Sequence, residues 1–203
     1  MEVENRFITI KEYVQGSPSE SDLEVRKGSV VLKVEEGSND VVVKNIYVSI
    51  DPYQINRMKK LSPSQSAINF ATRLVPGQGI DAYGIGKVVA SANPDFEKDD
   101  TVVGLLGWEE YSVVRSAFFL RKIDSTEFPL SYHAGLLGLS GLTAYAGFYN
   151  VCKPKKGEKV FVSAASGSVG NVVGQLAKLF GCYVVGCAGS KKKVFSGRNR
   201  HIF

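Results

Sequence analysis

Residues 159–187 read KVFVSAASGSVGNVVGQLAKLFGCYVVGC, and this stretch decides the fold. A compact apolar run over 159–163 has the length and β-branched content of a buried strand. A glycine-bearing loop follows, then a helix over 169–180 with Val172, Val173, Leu176 and Leu179 on its apolar side. Gly181 ends that helix, and 182–187 is a second apolar strand. Strand, glycine loop, helix, strand is one βαβ unit. Both strands are apolar on both sides, as parallel strands between helical layers are.

The loop Ala164-Ala165-Ser166-Gly167-Ser168-Val169-Gly170 is similar to the Gly-x-Gly-x-x-Gly fingerprint, with alanine at its first position. A dinucleotide needs a tight turn there, a backbone without a Cβ facing the pyrophosphate, and a helix packed close to its strand. Unpaired amides and the positive end of the helix dipole then face the anion. Gly170 and Gly174, four apart, share the helix face that would approach the sheet. A plain tight turn between strand and helix is the competing reading. An NAD site places an acid about 20 residues beyond the loop, on the ribose 2′-hydroxyl. Here that distance from Gly167 falls at Cys187, and Ala188-Gly189-Ser190-Lys191-Lys192-Lys193 follows with no acid. A small, cationic stretch suits a 2′-phosphate, so we expect NADP(H); a solvated lysine run is the alternative.

Toward the N-terminus the texture is different. Strands are expected over 7–10, 30–34, 41–50, 87–90, 101–105 and 111–114, separated by Gly-, Asn- and Pro-rich turns. No long helical period occurs before residue 120, which suggests an irregular barrel or sandwich. After Pro129, Ser131 can cap a helix carrying His133, Ala134, Leu136 and Leu137, and helix resumes over 142–149 after a break at Ser140-Gly141. We therefore divide the chain into 1–130, an all-β domain, 131–190, a nucleotide-binding domain, and 191–203, a basic tail.

Charge and composition narrow the function. The formal charge is +5, and residues 191–203 carry five cations and no acid, so the other 190 residues balance at 20 cations and 20 acids. A basic tail is not a basic face, and nucleic acid is not an expected partner. No secretory leader, myristoylation glycine or long apolar span is visible, so we expect a cytoplasmic protein without membrane attachment. Cys152, Cys182 and Cys187 lie in apolar surroundings and are expected to be reduced core thiols. Only His133 precedes the tail and no Cys-x-x-Cys occurs, so no metal site is expected. His133 reads as a residue of a helix near the core. Neither a phosphate-binding Gly-x-x-x-x-Gly-Lys-Ser/Thr loop nor a Gly-x-Ser-x-Gly elbow is present.

Five motifs come in a recognisable order: Asp51-Pro52-Tyr53, Trp108-Glu109-Glu110-Tyr111, Gly138-x-x-Gly141-x-Thr143-Ala144-Tyr145, residues 162–170 and residues 181–186. From Val3 to Ser190 the chain resembles the plant NADPH-dependent 2-alkenal reductases, or alkenal double-bond reductases. These are relatives of the zinc-independent medium-chain quinone and prostaglandin reductases. The resemblance implies a partly open GroES-like β-barrel followed by a Rossmann domain. It also implies hydride addition to the β-carbon of an α,β-unsaturated aldehyde or ketone, with a proton to the α-carbon. Tyr53 matches the family's cleft tyrosine, a phenol able to donate to the substrate oxygen; aromatic packing at the barrel edge is its alternative role. Pro52, Ala164, Ala165, Ser166, Gly167, Ser168, Val169, Gly170, Gly189 and Lys193 match positions that contact NADP(H) in the family. From Val194 the resemblance stops, and one βαβ unit is less than a full dinucleotide fold. We therefore expect a C-terminally truncated chain whose Rossmann part is incomplete. Three functions stay open: a working alkenal reductase whose missing parts another chain supplies, a non-catalytic fragment that is unstable or pairs with full-length relatives, and a quinone oxidoreductase using the same cofactor.

Overall fold

The computed structural model describes residues 1–60, 73–115, 117–124 and 127–193. The basic tail beyond Lys193 lies outside the described residues. The chain divides into two compact units, Met1–Leu130 and Ser131–Phe203.

In the first unit β1 (Glu2–Ile10) and β2 (Leu23–Val31) form an antiparallel pair in continuous register from Glu2↔Val31 to Ile10↔Leu23. Both are longer than their apolar runs suggested, and β2 lies earlier than expected. Its polar residues 24–29 are mostly exposed, so only pairing with β1 marks them as strand. The main sheet runs β6-β3-β4-β5-β7, all antiparallel, from β3 (Val41–Val48), β4 (Asp81–Ser91), β5 (Thr101–Gly107), β6 (Tyr111–Val114) and β7 (Arg121–Lys122). Glycines at 84 and 86 hid the first half of β4 from a propensity reading.

Register irregularities fall between Val42 and Val43 and between Asn45 and Tyr47. Strict alternation would expose one of Val41, Val42 and Val43, yet all three are buried. The extra residue at the first irregularity is on β4, since Val42 pairs with Ala90 and Val43 with Val88, and Val41 and Val43 share a core that Val42 does not join. One core gathers Val41, Val43, Val88, Val102 and Leu106; a second gathers Ile10, Val14, Met58, Leu74 and Ile80 under the β1–β2 pair. Strand pairing between that pair and the rest of the unit is limited, among the described residues, to two isolated bridges, Phe7↔Glu109 and Thr9↔Gly79, with single backbone bonds such as that from the Ile8 amide to the Trp108 carbonyl beside them. Among the described residues the barrel is thus open rather than closed. A short helix not expected from the sequence, α1 (Tyr53–Arg57), precedes β4.

The second unit begins with α2 (Leu130–Ala134), entered at the boundary, and α3 (Leu139–Tyr145), which runs on as a wider π-type turn over Ala146–Cys152. The expected break at Ser140-Gly141 is instead inside α3. Gly141 is needed because a Cβ there would meet the Leu136 carbonyl. The βαβ unit is present as β8 (Lys159–Val162), α4 (Ser168–Leu179) and β9 (Tyr183–Gly186), the strands parallel and paired from Lys159↔Tyr183 to Val162↔Gly186. Gly181 leaves α4 with φ 88°. His133 is buried, as expected, and neither ring nitrogen has a hydrogen-bond partner among the described residues.

Two expectations for this unit fail. The strands are not buried on both faces: Phe161, Tyr183 and Val185 are 67%, 68% and 58% exposed, because α4 covers only the opposite face. The cysteines are not core residues either: Cys152 and Cys187 are exposed and Cys182 is half-buried, and all three are free thiols. No helix among the described residues is long and apolar enough to cross a membrane.

A parallel sheet with one bare apolar face lacks half of its normal covering. Limited proteolysis of the whole chain should therefore cut beyond Pro129 first and leave an N-terminal fragment intact. Equal protection of both units would contradict this difference in stability.

Candidate functional site

Residues 49–58 turn from the end of β3 into α1, and side chains rather than ladder bonds hold the turn. Ser49 Oγ donates to Asp51 Oδ2 at 2.6 Å, and the Asp51 amide donates to Gln54 Oε1 at 2.8 Å. Gln54 Nε2 reaches the Asp81 carbonyl on β4 at 3.2 Å. One turn on, Arg57 is 5% exposed and pairs with the Asp81 carboxylate at 2.5 Å. The Trp108 indole donates to the Ser49 carbonyl at 3.1 Å. These bonds fix where Pro52 and Tyr53 stand.

Pro52 lines a cleft of ≈ 800 Å³ whose walls are largely apolar, among them Phe7, Ile8, Leu23, Ile55, Met58 and Trp108. Tyr53 does not line it. Its ring is half-buried. Burial pushes the phenol above its ordinary range; Arg57 opposes this, and the Asp81 and Asp51 carboxylates add to it. Tyr53 is therefore a neutral hydroxyl at neutral pH. Trp108, Glu109 and Glu110 of the Trp108-Glu109-Glu110-Tyr111 segment line the same cleft. Asn5 holds that segment by two reciprocal bonds with the Tyr111 backbone, both 2.9 Å. Glu109 accepts from Ser112 Oγ at 2.8 Å and Asn5 Nδ2 at 3.0 Å. Burial nevertheless holds its carboxyl above the usual range. Glu110, exposed and paired with Arg6 at 2.6 Å, is held down to about 2 by that partner.

In the second unit the loop from Ala164 to Gly170 is built around one carbonyl. Ala164 takes φ 47°, the left-handed region that glycine adopts without cost, at the position where the fingerprint has its first glycine. Its carbonyl accepts the Gly167 amide at 2.8 Å. A Cβ at Gly170 would stand 2.5 Å from that oxygen and one at Gly167 3.1 Å from it. The amides of Ser168, Val169 and Gly170 form the first turn of α4, where no intrahelical acceptor exists. The Ala165 amide donates to the Cys187 carbonyl at 2.8 Å, so the stretch after β9 starts beside the loop. Gly189 has open space where a Cβ would stand, and the exposed Lys193 donates its amide to Ser190 Oγ at 3.3 Å. No cluster of three or more His, Cys, Asp or Glu able to hold a metal occurs among the described residues.

The expected site residues thus fall into two groups, Pro52 and Tyr53 on the first unit and the loop, Gly189 and Lys193 on the second. Sequence reasoning missed Gln54, Arg57, Asp81 and Glu109. A weak signal existed, since Arg57 follows Gln54 and Tyr53 at the helical spacings of three and four. Their burial has no signature in a polar residue type.

Residues 6–122 match the family profile described as the N-terminal domain of oxidoreductase. The chain is 54% identical over 193 residues to a 2-alkenal reductase (NADP(+)-dependent) of Nicotiana tabacum, covering 95% of this chain and 55% of that protein. It is 46% identical over 203 residues to (+)-pulegone reductase of Mentha piperita, covering 99% and 58%. The chain spans about half the length of the curated relatives it matches. Among solved structures, CurA of Vibrio vulnificus in complex with NADPH superposes with a TM-score of 0.82 at 26% identity, covering 96% of this chain and 55% of that one.

The raised Glu109 carboxyl has a consequence for stability. Its contribution is complete below the ordinary carboxylate pKa and is lost as pH rises through its higher folded value. Glu110 acts oppositely: its contribution is present above the ordinary value and lost as pH falls toward about 2. Glu109→Gln removes only the first effect. Thermal unfolding between pH 4 and 8 should show the parent losing stability relative to Glu109→Gln as pH rises; a constant or reversed difference would contradict it.

Proposed function

The chain belongs to the oxidoreductase family that carries this N-terminal domain, and from that premise we propose that it serves NADP(H)-dependent reduction of the carbon–carbon double bond of α,β-unsaturated aldehydes and ketones. The observation that carries the proposal is the loop after β8, which presents free amides at a helix N-terminus and runs beside a strand end followed by small residues, three lysines and no acid.

That loop fits a dinucleotide. Its two later glycines let the loop close on the Ala164 carbonyl, and the backbone of Ser166, Gly167, Ser168 and Val169 at the start of α4 offers a pyrophosphate its amides. Gly170 keeps α4 seated against the Ala164 carbonyl. Gly189 and Lys193, with the neighbouring lysines, suit a 2′-phosphate, and no carboxylate competes there. Pro52 is proposed as a further contact of the cofactor. When bound, the cofactor supplies a hydride to the β-carbon of the substrate. Negative charge then develops on the carbonyl oxygen, and Tyr53, a neutral phenol, donates a hydrogen bond to that oxygen. A proton reaching the α-carbon completes the reduction.

The two curated relatives named above carry out this class of chemistry by their names, which supports the substrate class. Their plant sources fit a plant protein, and three free thiols fit the cytoplasm. A homodimer, or pairing with a longer relative, is the assembly we propose.

The test is NADPH consumption with a panel of enals and quinones, run beside the tobacco relative. Enals should be reduced in preference to quinones, and Tyr53→Phe should lower turnover by about 10²–10³-fold, the cost of one lost oxyanion donor. Preference for quinones, or full turnover in Tyr53→Phe, would overturn the reading.

A further inference from the structure

We propose that the apolar cleft bounded by β1, β2 and α1 is a binding site for a neutral, largely hydrocarbon small molecule, set on the other side of α1 from Tyr53. The site goes beyond the reaction proposed above and does not depend on it.

Its volume of ≈ 800 Å³ falls inside the range of about 300–1,000 Å³ usual for small-molecule sites. The register of β1 with β2 sets Ile8 opposite Val25 in the lining, and Ile55 and Met58 face them from the α1 segment. Val25 and Ile50 are 66% and 80% exposed, so the wall carries apolar surface that the unit itself does not cover. The polar side chains there are engaged within the protein. The Trp108 indole donates to the Ser49 carbonyl, and the Gln54 amide accepts from Asp51 and donates to Asp81. Arg6, the only cation among the described lining residues, is paired with Glu110. Glu20 and Asp51 then tip the lining toward negative charge, which disfavours an anion. Recognition is left to shape and apolar contact, and that selects a neutral hydrocarbon body.

The separation from Tyr53 follows from helix geometry. At 3.6 residues per turn, Ile55 stands about 160° round the α1 axis from Tyr53. Gln54, Ile55 and Met58 line the cleft, whereas Tyr53 and Arg57 do not. Of the residues proposed for cofactor and substrate, only Pro52 borders it.

Trp108 is the single tryptophan of the chain, so its emission reports on the cleft. The probes are octanol, octanoate and octylammonium, titrated into the whole chain at neutral pH. Octanol should shift the emission to shorter wavelength and saturate, octanoate should bind at least about tenfold more weakly, and octylammonium no more tightly than octanol. Val25→Glu and Ile50→Glu, both at exposed positions, should each weaken octanol binding by about tenfold or more, with circular dichroism confirming the fold. Tyr53→Phe should leave octanol binding within about twofold of the parent. No saturable shift, octanoate as tight as octanol, octylammonium tighter than octanol, or unchanged binding in both folded glutamate variants would overturn the site or its ligand class. Loss of octanol binding in Tyr53→Phe would overturn its separation from Tyr53.

Discussion

The buried pair of Arg57 and Asp81 is the constraint on which the first unit's site depends. A guanidinium at 5% exposure is tolerable only with its partner in place; stranding such a charge costs on the order of 3–5 kcal/mol in a dry setting, and less here because the Asp81 side chain is 40% exposed. The pair draws a five-residue helix onto β4, a helix too short to persist on its own propensity. Ser49, Asp51 and Gln54 set the entry to that helix, and Trp108 bonds to the entry from another segment of the cleft. The positions of Pro52 and Tyr53 are therefore consequences of polar bonds made by their neighbours.

The second unit solves a similar problem with backbone shape. One carbonyl, that of Ala164, is approached by the Gly167 amide and lies under Gly170. An alanine in left-handed backbone costs roughly 1–2 kcal/mol. Local strain of this kind is retained where surrounding structure over-determines it, often at a ligand site. The strain at Ala164 is one support for the anion-binding role proposed for this loop.

Legibility in the sequence followed the kind of force involved. The βαβ unit was readable because glycine spacing and apolar runs encode it directly, and its boundaries shifted by only a residue or so. The strands β2 and β4 were misjudged because long-range pairing holds polar and glycine-rich residues extended. Residues 41–43 looked like one apolar run, and all three valines are buried although only Val41 and Val43 share a core. Helix α1 was invisible because burial of Gln54 and Arg57, not periodicity, creates it. The loop residues, Pro52 and Tyr53 could be named from motifs; Arg57, Asp81 and Glu109 could not, since nothing in a charged side chain announces that it is buried. The two-sided burial expected of β8 and β9 failed on one face, where Phe161, Tyr183 and Val185 stand in the open.

At the centre stands a loop and strand end suited to a dinucleotide carrying a 2′-phosphate. Fluorescence titration of the chain with NADPH and with NADH in the same low-salt buffer tests this most directly. NADPH should bind the more tightly, and the difference should shrink when Lys191, Lys192 and Lys193 are replaced by Gln. Equal or tighter binding of NADH would contradict it.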